Sequence, residues 1–459
     1  MRETQKLTLA SLAGPIFVEQ GLRILLGTVD MLMVSHLGDG AVAALGVAFQ
    51  VVIVAVIIFN FIGVGASVVI THHLGAHDEP GADQIARAAI GFNTWVGLGV
   101  SALVALLARP LLGWMQLPAT LMPHAVPFLT LMGGTLFLEA QNIAMAATLR
   151  AHAYTRPVMA VTGFQNVVNV LCNAVVLFGL FGLPQLGVAG CAVSGVISRV
   201  ISFVILRRLV RQKTGVRLGL FDYFALSRER LRRILSIGLP AAGENLSYWI
   251  ALVVVTSFAS RMGEASIAAF SYSRQMTNWV ILFSISIGLG TEILIGYLVG
   301  SGEIDRAHRE LLDNLRKGVA LVFVVSGLVA LFSPQLMRGF TSDPGIIDAA
   351  VQMAWLGVLL ETGRVLNVVC VNSLRATGDA RFPLFMGFWS MWCMSVPLAW
   401  LLGLRLGFGL NGLIIAMICD EWLRGLINYA RWKRRGWVKY AERSRAHVAQ
   451  LQPGSEPAS

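Results

Sequence analysis

Residues 14–20 read GPIFVEQ and residues 239–245 read LPAAGEN. Each sets a proline and, four residues later, a glutamate inside a long apolar run, where neither residue is locally expected. Shifting the chain against itself by 225 residues lays Pro15 on Pro240 and Glu19 on Glu244. The same offset lays Gly38 on Gly263, Gln50 on Gln275, Gly63 and Gly65 on Gly288 and Gly290, and Leu149-Arg150-Ala151 on Leu374-Arg375-Ala376. Composition does not hold one offset through so many polar and glycine positions, so the chain is two homologous halves. The halves are residues 7–211 and 232–431, joined by a basic linker at 212–231 and followed by a basic tail at 432–459 whose end is expected to be disordered.

The apolar background decides the solvent. Of 459 residues, 56% are hydrophobic and 13% charged, with mean hydropathy +0.70, whereas a soluble domain carries about 25% charged residues. Runs of roughly 20 apolar residues recur along the chain, which is the pattern of bilayer-spanning helices. Twelve are read, six per half, from 9–34 to 408–431. The ten-residue alternation of a transmembrane β-barrel is missing. The first run holds Glu19, Arg23 and Asp30 and lacks a small-residue cleavage site, so it is not expected to be a removed leader. The fold expected is an all-α membrane protein of twelve transmembrane helices in two pseudo-symmetric six-helix lobes. Six spans per half bring both halves in from the same face, as parallel repeats.

The net charge of +11 does not point to nucleic acid. Most of the 36 Lys and Arg residues fall in the linker, the tail and alternate loops, and only Arg109, Arg261, Arg338 and Arg405 fall in the opposite loops. That asymmetry is the positive-inside rule: both termini, the linker and the tail are expected in the cytoplasm, at the inner membrane of a bacterium. The basic charge then faces anionic membrane lipids, and no nucleic-acid partner is expected. The five cysteines are single and scattered, without metal-ligand spacing. No P-loop, HExxH or GxSxG motif is present, so neither an ATPase nor an enzyme is expected. Parallel repeats of this kind build secondary transporters, with a substrate site between the halves and alternating access.

Ionisable residues within spans are expensive in a bilayer and are candidates for ion or substrate binding, the alternative being a structural ion pair. In the first span Glu19, Arg23 and Asp30 lie within about 40° on one helical face, one turn beyond the kink that Pro15 permits. Glu19 and Arg23 neutralising one another is the competing reading. In the seventh span Glu244 repeats Glu19, but Tyr248 stands where Arg23 would. With no sequence-local cation, Glu244 is expected to be open to a proton or an ion, unless Arg274 of the next span pairs with it. The tenth span sets Glu361, Arg364, Asn372 and Arg375 on a broad stripe, and the fourth carries Glu139, Asn142 and Arg150. Arg150 and Arg375, at span ends, are expected to position rather than to transport. The fifth span carries Asn166, Asn169 and Asn173, which serve either a polar ligand or interhelical hydrogen bonds. Gln50 and Gln275, related by the repeat, complete the set expected to bind a coupling ion or substrate. His72, His73 and His77 read as solvated loop residues.

These stretches together resemble the multidrug and toxic compound extrusion (MATE) family over residues 7–431. The resemblance rests on the first-span proline, VDMLMVSHLGDGAVAALG at 29–46, GVGAS at 63–67, LRAHAYTRP at 149–157, LRATGDARFP at 374–383 and LGVAG at 186–190. It implies a V-shaped twelve-helix fold and an antiporter, monomeric and without a cofactor, that expels lipophilic organic cations or other small molecules in exchange for sodium or protons. Asp30 matches the family's first-span aspartate. The family's seventh-span acid falls on Tyr248 here, and Glu244 lies one turn earlier; its tenth-span acid falls on Arg364, and Glu361 lies one turn earlier. In the fifth span Asn169 and Asn173 stand in the family's Asn-x-x-x-Asp pattern, so that carboxylate is absent. Asp30, Glu244 and Glu361 are therefore the acids expected to meet sodium, should sodium be the coupling ion. A flippase for lipid-linked or amphipathic metabolites, built on the same lobe plan, is the alternative.

Overall fold

The computed structural model of the protein describes residues 7–179, 187–224 and 227–450. Among them the secondary structure is helical, with no strand. The first half supplies α1 (Leu9–Ser35), α2 (Asp39–Gly75), α3 (Glu79–Leu106), α4 (Ala108–Trp114), α5 (Met122–Gly134), α6 (Leu136–Ala151), α7 (Thr155–Phe178) and α8 (Gly187–Lys213). The second supplies α9 (Arg228–Ser260), α10 (Glu264–Ser301), α11 (Ile304–Leu331), α12 (Ser333–Arg338), α13 (Pro344–Ala376), α14 (Arg381–Ser390), α15 (Val396–Trp400), α16 (Gly409–Lys433) and α17 (Val438–Gln450).

Among the described residues ten helices are long and apolar enough to cross a membrane. The other two of the twelve expected spans fall short for local reasons. The fourth is broken at Thr135 into α5 and α6, of 13 and 16 residues. The twelfth, α16, carries Asp420, Glu421 and Arg424 in its middle. The eleventh is a continuous rod, Arg381–Arg405, that loosens to π-helix at Met391–Ser395, where the Val396 amide reaches back to the Met391 carbonyl. Pro397 next to it has no amide to donate to the Cys393 carbonyl four residues back, so the α-helical ladder is interrupted there.

The repeat is reproduced in backbone geometry. Gly38 after α1 and Gly263 after α9 have φ of 106° and 105°, a conformation that favours glycine. Loops between helices are closed by caps: the Asp78 side chain accepts from the Gly81 amide at 2.9 Å to start α3, and Asp343 accepts from Gly345 at 2.8 Å to start α13.

The chain divides into two compact units. One contains, of the described residues, 18–74, 78–179, 187–224 and 227–239, with Phe59, Phe128 and Leu45 in its core. The other contains, of the described residues, 7–17, 75–77 and 240–450, with Phe270, Met353 and Leu413 in its core. The first turns of α1 thus pack in the unit made mainly of the second half, where a Cβ on Gly290 would lie 3.2 Å from the Ala13 methyl. The first turns of α9 pack in the unit made mainly of the first half, where a Cβ on Gly65 would lie 2.1 Å from the Ile234 carbonyl oxygen. The linker also belongs to the latter unit: the Trp95 indole donates to the Tyr223 carbonyl at 2.7 Å and Arg87 lies 3.5 Å from Asp222. Its last residues, from Arg228, are already α9.

The tail does not run free from residue 432. Trp432 and Trp437 are fully buried and stack at 4.2 Å, Arg435 pairs with Asp305 at 2.6 Å, and α17 follows with Ala441 and Val448 buried. The expected disordered end, residues 451–459, lies outside the described residues.

Candidate functional site: intramembrane carboxylates and their partners

The two carboxylates of the opening repeat have the same partner. Glu19 on α1 is 1% exposed and accepts from Arg150 of α6 at 2.9 Å; Glu244 on α9 is 8% exposed and accepts from Arg375 of α13 at 2.6 Å. Each arginine lies 131 residues after its glutamate, so the Pro-x-x-x-Glu and Leu-Arg-Ala motifs are two ends of one repeated ion pair. A carboxylate in a low-dielectric interior is tolerable only when paired, and losing one partner costs about 3–5 kcal/mol. The expectation that Glu244 lacks a cation is therefore corrected. Its partner comes from a helix distant in sequence, and it is not Arg274. Arg23 also reaches Glu19, at the longer distance of 3.3 Å, so the sequence-local pair is the weaker one. Arg150 and Arg375 hold the ends of α6 and α13 against α1 and α9, a positioning task.

Asp30 is in a different situation. It is half-buried on α1, and its carboxylate accepts from the Asn173 amide of α7 at 2.7 Å. The same Asn173 amide donates to Asn169 Oδ1 at 3.0 Å, and Asn169 donates to the Ser198 hydroxyl of α8 at 3.4 Å. Asn166, one turn earlier, ties α7 to the Leu22 carbonyl at 2.6 Å. The asparagine row of the fifth span thus makes interhelical hydrogen bonds: Asn166 and Asn173 reach α1, at Leu22 and Asp30, and Asn169 reaches Ser198 of α8. Among the described residues no arginine or lysine pairs with Asp30. Asn173 Oδ1 is buried and has no hydrogen-bond donor.

Two further charge clusters lie within the helices, one in each unit. In the first-half unit Glu139 of α6 meets Arg199 of α8 at 3.2 Å and Arg23 at 4.0 Å, and Asn142 donates to the Arg199 carbonyl at 3.1 Å. In the second-half unit Arg364 donates to Glu361 at 2.5 Å and to Glu421 at 3.3 Å; Asn367 donates to Glu421 at 2.9 Å; and Arg424 pairs with Asp420 at 2.6 Å and Glu421 at 3.2 Å. The 225-residue shift explains the difference. Arg199 falls on Arg424 and Asn142 on Asn367, but Glu139 falls on Arg364. Two arginines facing one another require new acids, and Glu421 and Asp420 supply them where the first half has Val196 and Gly195.

Asp420 and Glu421 were missed in reading the sequence, although three charges within five residues of the twelfth span are a sufficient signal. The cluster holds three acids and two arginines, and Glu361 Oε2 is buried without a hydrogen bond.

Tyr248 is half-buried and lines a cavity with Arg274 and Arg364. Gln50 and Gln275 are exposed on α2 and α10. Asp30 belongs to one unit and Glu244 and Glu361 to the other, and among the described residues no three His, Cys, Asp or Glu side chains cluster as a metal site. His72 and His73 are not solvated loop residues: α2 runs on to Gly75, both are buried, and His73 Nδ1 lies 2.7 Å from the Asp78 carboxylate that caps α3. Only His77 of the three is exposed.

Comparison with known proteins identifies the family and the fold. The MatE family model matches residues 15–175 and 240–401, one match per half. The "Uncharacterized transporter YisQ" of Bacillus subtilis is 40% identical over 432 residues, covering 94% of this chain and 95% of that protein. The "Probable multidrug resistance protein NorM" of Thermotoga maritima is 26% identical over 452 residues, covering 96% and 95%. Among solved structures, a MOP superfamily transporter from Pyrococcus furiosus has the same fold, with a TM-score of 0.85, 21% identity, and 93% of this chain and 95% of that chain covered. Two matched six-span halves, acids buried in the spans and these likenesses lead to one assignment: the chain belongs to the MatE family and is a multi-pass membrane transporter of the MATE type.

Proposed function

We propose that the protein is an antiporter that exports lipophilic organic cations in exchange for an inward sodium ion or proton, with Asp30 as the coupling carboxylate. The observation that carries this reading is the contrast among the candidate acids. Glu19, Glu139, Glu244 and Glu361 each meet an arginine, whereas Asp30 meets an amide. An acid without a fixed cation is the one whose charge state a mobile cation can alter. The neighbouring oxygens fit such an ion: Asn173 Oδ1 is a buried acceptor without a donor, and Asn169 Oδ1 lies one helical turn away on α7. Sodium, a hard cation, takes oxygen ligands of this kind; a proton needs the carboxylate alone.

Ion binding at Asp30 would remove the negative charge that Asn173 holds. A difference in ion affinity between two conformations would then bias their populations, and a cationic cargo that prefers the ionised form would bias them the other way. The basic linker and tail support placing both termini in the cytoplasm of a bacterial inner membrane.

The test is ethidium efflux from everted membrane vesicles with a sodium or a proton gradient imposed separately. One gradient drives efflux in the parent protein, and Asp30→Asn reduces that driven component by about tenfold or more while expression is kept, as expected when an intramembrane charge is the coupling group. Gradient-driven efflux that persists in Asp30→Asn rules out this role for Asp30.

A further inference from the structure

Arg23 pairs with Glu19, Arg199 with Glu139, Arg364 with Glu361 and Glu421, and Arg424 with Asp420 and Glu421. Among the described residues Arg274 has neither an ion-pair nor a hydrogen-bond partner. It sits on α10 ten residues after Glu264, about 15 Å along the helix from its start. Arg274 is half-buried, and a guanidinium taken partly out of water is stabilised by an anionic partner.

The fold itself does not ask for a cation at this place. Under the repeat Arg274 falls on Phe49, which packs edge-on against Phe128 at 5.5 Å. Tyr248 falls on Arg23. Between the halves, then, the arginine and the aromatic residue have exchanged helices. In the first half the arginine has acids beside it; in the second it faces a cavity instead.

That cavity, of about 40 Å³, lies wholly within the second-half unit. Tyr248, Ser273, Arg274, Thr277, Asn278 and Arg364 supply its polar wall, and Phe270 and Met417 belong to its apolar wall. Arg364 already donates to Glu361 and Glu421, so the guanidinium with donors to spare is that of Arg274. A planar fork of N–H donors matches a carboxylate through two parallel hydrogen bonds, and a phenol hydroxyl can add a third. The volume exceeds the roughly 10–15 Å³ that a cavity needs to hold one water molecule. It accommodates a carboxylate but not a whole drug, and the apolar wall suits the carbons attached to that group.

We propose that Arg274 and Tyr248 form a carboxylate-binding subsite that takes the anionic head of an amphipathic organic acid. The acid comes either from the bilayer, as a fatty acid, or from solution. This goes beyond cation export and does not depend on Asp30.

The test uses the full chain in neutral phosphatidylcholine nanodiscs, with radiolabelled laurate and benzoate as probes and dodecylammonium as competitor. The parent protein binds laurate saturably, and dodecylammonium does not displace it. Arg274→Gln weakens binding by about 10- to 100-fold, the weight of a charge-assisted pair of hydrogen bonds. Arg274→Lys, which keeps the charge without the fork, falls between, and Tyr248→Phe loses several-fold. Asp30→Asn binds laurate like the parent, which separates this site from the coupling site. Binding of laurate alone points to the bilayer as the source, and binding of benzoate as well points to soluble acids; either supports the subsite. Should Arg274→Gln not purify as a folded protein, the Arg274→Lys and Tyr248→Phe values decide. Affinity unchanged in the variants, or equal displacement by dodecylammonium, overturns the proposal.

Discussion

Removing the guanidinium of Arg375 strands Glu244 in a buried position with its strongest donor gone. Arg375→Ala is expected to destabilise the protein by about 3–5 kcal/mol, whereas the double variant Glu244→Gln/Arg375→Met, which removes both charges, costs much less. Thermal unfolding in detergent checks this, and equal losses in the two variants would contradict the pairing. The second-half charge cluster makes a sharper distinction between neighbours. Glu421 serves Arg364, Arg424 and Asn367, while Glu361 serves Arg364 alone in a cluster with one acid more than it has arginines. Glu361→Gln should therefore cost about 1 kcal/mol or less and Glu421→Gln about 3 kcal/mol or more. The reverse order of melting temperatures would show that the charge count has been read wrongly.

Helix packing carries the repeat at the next scale, with one difference between the halves. A Cβ on Gly63 of α2 would lie 3.4 Å from the Ala147 methyl, an ordinary contact. Its counterpart on Gly288 of α10 would lie 2.5 Å from the Asn372 amide nitrogen and 2.9 Å from Val368 Cγ1. Asn372 accepts from Arg375 at 3.2 Å, so displacing it also disturbs the arginine that holds Glu244. Gly63→Ala is expected to be neutral or stabilising by up to about 1 kcal/mol, the helix propensity gained. Gly288→Ala is expected to destabilise by about 1–3 kcal/mol, the usual cost of overpacking. Comparing the two melting shifts tests the packing, and a stabilised Gly288→Ala would refute it.

The whole molecule is two units, and α17 belongs to one of them. It packs beside Gly302, where an added Cβ would lie 2.7 Å from the Arg445 guanidinium, and beside Gly378, where one would lie 2.7 Å from the Ser444 hydroxyl. Deleting residues 438–459 withdraws this cover from the second-half unit. Amide hydrogen exchange should accelerate by tenfold or more at 302–316, 377–381 and 431–437, and remain unchanged in the helices of the first-half unit, because local opening follows local contacts. Acceleration spread evenly over both units would mean that the tail stabilises something other than its own neighbourhood.

Membrane character, the number of spans, the duplication and the family were all legible in the chain, because hydropathy and repetition are one-dimensional properties. The repeat even paired Pro15 with Pro240 and Arg150 with Arg375 without any coordinates. The choice of partner among buried charges was decided only in three dimensions. Glu244 finds Arg375 at a separation of 131 residues, Asp30 finds Asn173 rather than a cation, and Arg274 finds no acid at all among the described residues. The physical reason is that a helix fixes only which residues share its face; which charge stands opposite is set by the neighbouring helix, and in a low-dielectric interior that partner decides whether a charge holds the fold or is left for a ligand.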